Sequence, residues 1–461
     1  MRKVFLYSLL AILGIILLSF TNTHKPGKKH IKASKQRSGD ASRGYDYLVN
    51  GDYVSSGIPW EFYKVFAPND SNNFLQRKGE ASLIPPQFNF TVNEDGIEML
   101  SPNCLNCHSD YLNGEYIVGL GNHSFDYRMD PQAAGQFMQT MITNKYGLDS
   151  KEFEAFQAFS ASMKALSGHL TTEARGLNPA DKLTAVLIAH RHPETLEWTD
   201  SLLLEIPDKT IPTDVPPWWL LKKKNAMFYT GIGRGDFSKF LMASSILTLR
   251  DTSQAAEIDK HFPDVLAWIN DLEPPKYPED IDYDLAVTGK SIFNKKCSGC
   301  HGTYGPDGEY PNYLVELEKI GTDPALSKAY TDSLYISFIN WYNKSWFVQG
   351  ENPGQLVIES GYVAPPLDGI WASAPYLHNG SVPDIASLLD SEKRPRYWKR
   401  SFDSRDYNFE KLGWQYEAFE APEDCNCYNT DLEAYGNQGH RFGDPLSVGD
   451  RKAVIEYLKT L

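Results

Sequence analysis

Two short stretches carry the residues best suited to chemistry. "SPNCLNCHSD" holds Cys104, Cys107 and His108, and "NKKCSGCHGT" repeats the spacing with Cys297, Cys300 and His301. Closely spaced cysteines serve a redox dithiol, a zinc site, or covalent attachment of c-type haem, and the adjacent histidine decides among them. In haem attachment the two thiols form thioethers to the vinyl groups and the imidazole becomes the proximal iron ligand. A thioredoxin-like dithiol has no need of that histidine. One four-ligand zinc site shared by both copies would leave two donors unused. Two covalently bound c-type haems are therefore expected, with His108 and His301 as proximal ligands. No motif indicates Ca2+ as a further ion.

The sixth ligand largely sets reactivity. Of the eight methionines, none lies beyond Met242, so the second half cannot supply a His/Met pair. His378 and His440 are the remaining histidines there, each in a loop, and spacing alone leaves both open as partners of His301. For the first site the candidates are His123, His169, His190, His192, Met129, Met138, Met141 and Met163. None has a convincing ligand context, and His190 and His192 precede Pro193, where a histidine commonly caps a helix. The segment "DVPPWWLLKKKNAMFYTGIGRGD" places Trp218, Trp219 and Phe228 around three lysines. Its aromatics suit a pocket wall, and Lys222, Lys223 and Lys224 suit haem carboxylates; a core anchor with a solvated basic patch is the plainer reading. Cys425 and Cys427 remain once the haems are counted, to pair with each other or with another chain. Redox sensing is the one function that this pair alone supports.

The elements that must position these residues are read from pattern. Gly289, Ile292 and Phe293 share one face of a helix ending before Cys297. Ser447 caps a terminal helix with Val454, Tyr457, Leu458 and Leu461 on one side. Together they form the helix pair of a small cytochrome c, crossing closely at Gly289. The first half mixes helical segments with short extended ones such as "PPQFNFTVNED". The expected architecture is mainly α, with two cytochrome c-like haem domains and long loops. The boundaries read as 1–23 for a signal anchor or signal peptide, 24–44 for a basic flexible tether, 45–278 for the N-terminal haem domain and 279–461 for the C-terminal cytochrome c domain. The division falls in the Pro- and acid-rich strip Leu272–Asp284.

Arg2 and Lys3 precede an uncharged apolar run, Val4–Phe20. That run is long for a signal-peptide core and short for a membrane span of about 20 residues. Thioether formation is completed outside the cytoplasm, so the body is expected on the periplasmic side, anchored through the N-terminus or soluble after cleavage. A net charge of −14 argues against a nucleic-acid partner.

Longer stretches carry a resemblance. "GYVAPPLDGIWASAPYLHNGSVPDIASLLD" (Gly361–Asp390), "SFDSRDYNFEKLGW" and "NTDLEAYGNQGHRFGDPLS" resemble the C-terminal half of the rubber-oxygenase-like di-haem cytochromes, within the wider bacterial di-haem cytochrome c peroxidase superfamily. "SSGIPWEFYKVF" and "PPWWLLKKKNAMFYTG" are similar to the same family. The resemblance implies one haem for chemistry and one for electron supply. It implies a sixth ligand for the C-terminal haem at His440, leaving His378 as a haem neighbour. It also implies oxygen binding at the N-terminal haem, with Trp218 or Trp219 between the haems and Phe228 on the distal side. The chain is shorter than the rubber oxygenases, which makes polyisoprene cleavage doubtful while leaving the implied haem arrangement in place. Two functions follow as expectations. One is a periplasmic di-haem oxidoreductase acting on peroxide, oxygen or an organic substrate, with a redox-partner protein. The other is a membrane-tethered electron-transfer cytochrome without a substrate of its own.

Overall fold

A computed structural model describes residues 27–66, 72–130, 132–331, 335–422 and 426–461. The apolar run Val4–Phe20 and Cys425 lie outside the described residues. Within them no helix is long and apolar enough to cross a membrane.

The expectation of a mainly α fold is corrected by the sheets. The chain is 39% helical and 13% strand, with several small sheets. Antiparallel pairing accounts for the segments whose alternation is too short to read as helix. Phe88–Val92 pairs with Glu98–Pro102, which also pairs with Ile58–Pro59. Residues Ser109–Leu112 and Glu115–Val118 form a hairpin directly after the first cysteine motif. Tyr397–Arg400 lies between Tyr416–Phe419 and Tyr428–Asn429.

Two separate cytochrome domains are not what the core describes either. One hydrophobic cluster joins Leu48, Leu105, Val186 and Trp218 to Leu326, Tyr335, Trp341, Tyr362 and Trp398, across the expected boundary. Strand pairing interleaves the halves in the same way, Gly233–Gly235 with Gly354–Leu356. A boundary drawn from prolines and acids marks where the chain is extended. It does not mark where contacts cease. The strip after Asp271 is indeed irregular up to the helix Tyr283–Lys296.

Residues 27–44, basic in composition, are packed rather than free. Lys28–His30 adds an edge strand to Tyr313–Val315, and Ile31 is buried. Arg37 pairs with Asp236 and Asp259, and Asp40 caps the helix Ala41–Asn50. Charge complementarity and backbone pairing hold a segment that has little to bury.

Helix Tyr283–Lys296 lies against the terminal helix Val448–Leu458, which carries a capping box from Ser447 and Asp450. At their crossing, a Cβ on Gly289 would stand 1.8 Å from the Ala453 carbonyl oxygen and 3.0 Å from the Tyr457 Cβ. Only a glycine lets the two backbones come this close.

Candidate haem sites

The second motif closes a helix. Cys297 is the C-cap of Tyr283–Lys296, and Ser298–His301 continues as a short helical turn. His301 Nδ1 lies 2.8 Å from the Pro365 carbonyl oxygen, which can only accept, so Nδ1 carries the proton and Nε2 keeps its lone pair. A carbonyl holding one ring nitrogen is the usual way a protein fixes the tautomer and orientation of a ligating histidine. Burial first, offset by this hydrogen bond, lowers the imidazole pKa.

The ring facing His301 is that of His440, with centroids 6.1 Å apart and planes at 62°. Two metal–imidazole bonds of about 2.0–2.1 Å, plus the half-width of each ring, require a centroid separation of about 6.2 Å. The pair therefore fits an iron between the two rings. His440 Nδ1 is buried without a partner, and burial, then the proximity of His301, pushes its pKa down to about 3. Cys297 and Cys300 are free thiols, and burial pushes the first up to about 11.

The loop bearing His440 is held from two sides. Gly439 sits at φ +77°, where a Cβ would meet Gly321 at 2.1 Å, and His440 N donates to Ile320 O at 2.7 Å. Arg394 donates to the carbonyls of Asn437 and Gly439 at 2.7 Å, Leu388 at 3.0 Å and His440 at 3.2 Å. Sequence reading missed Arg394, because it acts on backbone carbonyls far along the chain and no motif records that. His378 is placed elsewhere: its ring stacks on Tyr362 at 4.1 Å, and its carbonyl accepts from Asp214 N at 2.8 Å.

The first motif is built differently. Cys104–Asn106 is a single 3-10 turn capped by the Asn103 side chain, and the chain enters the strand at Ser109. Cys107 Sγ accepts from Asn178 Nδ2 at 3.1 Å, and Cys104 Sγ lies 3.5 Å from Ser244 Oγ. His108 stacks on Trp218, with centroids 4.4 Å apart and planes at 20°. Its Nδ1 is buried with no acceptor, and burial pushes its pKa down to about 3. Two free thiols beside a neutral histidine with an unspent ring nitrogen fit haem attachment, without the carbonyl that fixes His301.

The other first-half candidates have identifiable surroundings. His123 Nδ1 is 3.0 Å from Asp214 Oδ1, a close contact without the alignment of a good hydrogen bond. His190 caps the helix Ala180–Ala189, bonds Thr199 O through Nδ1 and stacks on Trp198. The backbone N–H of His192 donates to Glu197 O, and burial lowers the pKa of His169. Met138, Met141 and Met163 pack around Ile142, Phe156 and Phe159, while Met129 is 79% exposed.

The tandem tryptophans look in two directions. Trp218 lies against His108 and, edge-on, against Trp268. Trp219, 1% exposed, donates from Nε1 to Asp368 O at 2.8 Å and packs in the cluster containing Phe293, Trp371 and Tyr457. Asp368 follows Pro365 in the turn that holds His301, so the pair links the surroundings of both motifs. Phe228 is 43% exposed and meets Phe240 edge-to-face at 5.8 Å. Lys222 pairs with Glu273, Lys223 with Asp368, and burial pushes Lys224 down to about 8. Cys427 is disulfide-bonded. Among the described residues, no group of three or more His, Cys, Asp or Glu is arranged to hold a metal ion such as Ca2+.

Similarity to known proteins is confined but specific. A family described as RoxA-like, cytochrome c-like matches residues 361–399, the stretch that contains Pro365, His378 and Arg394. The uncharacterized protein y4iM of Sinorhizobium fredii (strain NBRC 101917 / NGR234) is 25% identical over 350 residues, covering 66% of this chain and 78% of that protein. The uncharacterized protein y4iJ of the same organism is 28% identical over 253 residues, 41% of each. The chain is thus similar to the RoxA-like cytochromes, and that similarity supports haem c binding and an oxidoreductase-type function.

Proposed function

We propose that the protein is an exported di-haem c-type oxidoreductase, with peroxide or oxygen chemistry at the His108 site and electrons supplied or stored at the His301 site. The observation that carries this reading is the difference between the two histidines: His301 has a second imidazole near it at a ring separation of 6.1 Å, whereas among the described residues the ring contact of His108 is Trp218, stacked on its face, and no second histidine ring adjoins it. When bound, c-type haem would supply one-electron redox chemistry and, where an axial position is free, a place for a small oxidant. Cys104, Cys107 and His108 would hold one group, and Cys297, Cys300 and His301, together with His440, the other. Pro365 would keep the His301 Nε2 lone pair directed at the metal, and Arg394 would keep His440 in place. Trp218 and Trp219, adjacent in the chain, would place one indole in each of the two surroundings. The apolar, buried setting of His108 would exclude water and disfavour charged ligands.

A second reading, an electron-transfer cytochrome without its own substrate, is supported by the same pair of adjacent tryptophans, which serves through-flow equally well. Haem content by pyridine haemochrome and the spin state of the purified holoprotein separate the two. A high-spin component and a spectral change on adding carbon monoxide, cyanide or peroxide are expected. A protein that stays fully low-spin in both oxidation states and binds none of them is an electron carrier.

A further inference from the structure

A cleft opens between the Ala174–Leu177 segment and strand Tyr397–Arg400, lined by Leu177, Trp398, Phe402, Tyr428, Arg175 and Arg400. The guanidinium carbons of Arg175 and Arg400 lie 3.9 Å and 4.3 Å from the centroid of one ring, Phe402, and Arg400 lies 3.9 Å from that of Trp414. Two cations thus share one aromatic ring. Among the described residues, Arg175 donates only from Nε to Ser124 O at 2.8 Å, and Arg400 only from Nη2 to the next carbonyl, that of His123. Neither guanidinium meets a carboxylate among the described residues. Asp110 and Asp214 act on Arg400 through space; the Asp110 oxygens accept from the Tyr111 and His123 N–H groups and the Ser124 hydroxyl, and Asp214 Oδ2 accepts from Tyr229, while Asp214 Oδ1 lies 3.0 Å from the His123 ring. Arg400 is 6% exposed, and burial is the main cause that pushes its pKa down to about 9.

Taking a charge out of water without an ionic partner is costly, and a neighbouring like charge adds to the cost. Stacking on Phe402 and Trp414 offsets part of it but provides no acceptor for the remaining N–H groups. A planar carboxylate matches the guanidinium fork, and the apolar walls suit an organic body better than a small, strongly hydrated dianion. We propose that this cleft binds a small organic carboxylate, its oxygens held by Arg175 and Arg400 and its apolar body lying against Leu177, Trp398 and Tyr428. Lys399, also on the lining, draws the anion to the mouth.

The test is calorimetric titration of the haem-loaded full chain with benzoate, acetate and inorganic phosphate. Benzoate is expected to bind at one site per chain and more tightly than acetate. Arg175→Gln should weaken benzoate by about tenfold or more, with unchanged haem content and visible spectrum. Arg400→Lys, which keeps the charge and loses the fork, should weaken it as well. Lys209→Gln, in an exposed ion pair with Glu433, should leave binding unchanged. Absence of benzoate binding to the unmodified protein, or full-strength binding by Arg175→Gln, overturns the site. Phosphate binding tighter than benzoate overturns its assignment to organic carboxylates.

Discussion

At Cys297–His301 the motif ends a helix, a proline carbonyl holds the proximal imidazole, and a second imidazole stands opposite at 6.1 Å. At Cys104–His108 it occupies one 3-10 turn before a strand, with an unheld Nδ1 and an indole stacked on the ring. The same spacing of two thiols and a histidine therefore stands in two environments. Attachment chemistry is local to the motif, whereas the far side of the metal belongs to whatever the fold brings there. One site is built as a clamp between two rings and the other is not.

The largest expected effect removes one side of the contrast. Cys297→Ser combined with Cys300→Ser should leave one covalently bound haem per chain, measured as a halved pyridine haemochrome signal. Retention of two covalent haems would show that these thiols are not the attachment points. Next comes the clamp itself. His440→Ala should convert one site to high spin and leave the other unchanged in electronic absorption and electron paramagnetic resonance. His378→Ala should instead leave the spin state alone and cost about 2–5 kcal/mol of stability, because a ring stacked on Tyr362 is removed from a buried position. If His378→Ala produces the spin change, the roles of the two histidines are exchanged.

A smaller effect probes what supports the second site. Gly289→Ala forces a methyl group onto the Ala453 carbonyl and should destabilise the protein by about 1–3 kcal/mol in chemical unfolding. An unaffected midpoint would mean that the helix crossing does not hold that site together. Trp219→Phe keeps most of the buried ring but loses the bond to Asp368 O, an expected cost of about 1 kcal/mol. It should slow electron exchange between the sites after rapid reduction of one of them. An unchanged rate would remove the tryptophans from the route.

The smallest expected effect lies at neither site and sets the background for pH titrations of both. Burial pushes Asp181 up to about 6, against a bond from Tyr330 that lowers it. Between the unfolded value of about 3.9 and that folded value, the native state binds the extra proton. This group's contribution therefore falls as pH rises from about 4 to about 6. Asp181→Asn should flatten stability over that window, and an equally steep profile in the variant would assign the slope to another group.

Some of this architecture is legible along the chain. Gly289 with Tyr457, and Ser447 ahead of the last helix, follow from helical periodicity and capping, both of which operate within a few residues. The small sheets are not legible in the same way. A strand such as Tyr313–Val315 is too short for its alternation to register, and its partners, Lys28–His30 and Tyr362–Val363, lie far away in sequence. The shared core defeats a boundary read from prolines, because burial between Leu48 and Trp398 leaves no local mark on composition.

What the sequence determined by itself is the attachment chemistry: two thiols and an imidazole within five residues are close in any fold, so their joint reactivity is a property of the motif. It also excluded a methionine ligand from the second half, since a residue type that is absent cannot be supplied by folding. Spacing alone left open which histidine partners His301; the family resemblance pointed to His440, and the tertiary structure is what brings its ring to 6.1 Å from that of His301. His378 and His440 are both loop histidines, alike to any local reading. The close approach of Gly439 to Gly321 and the five carbonyls gathered by Arg394 bring His440 alone to that face. These contacts join segments distant in the chain, and their geometry exists only once the backbone has closed around them.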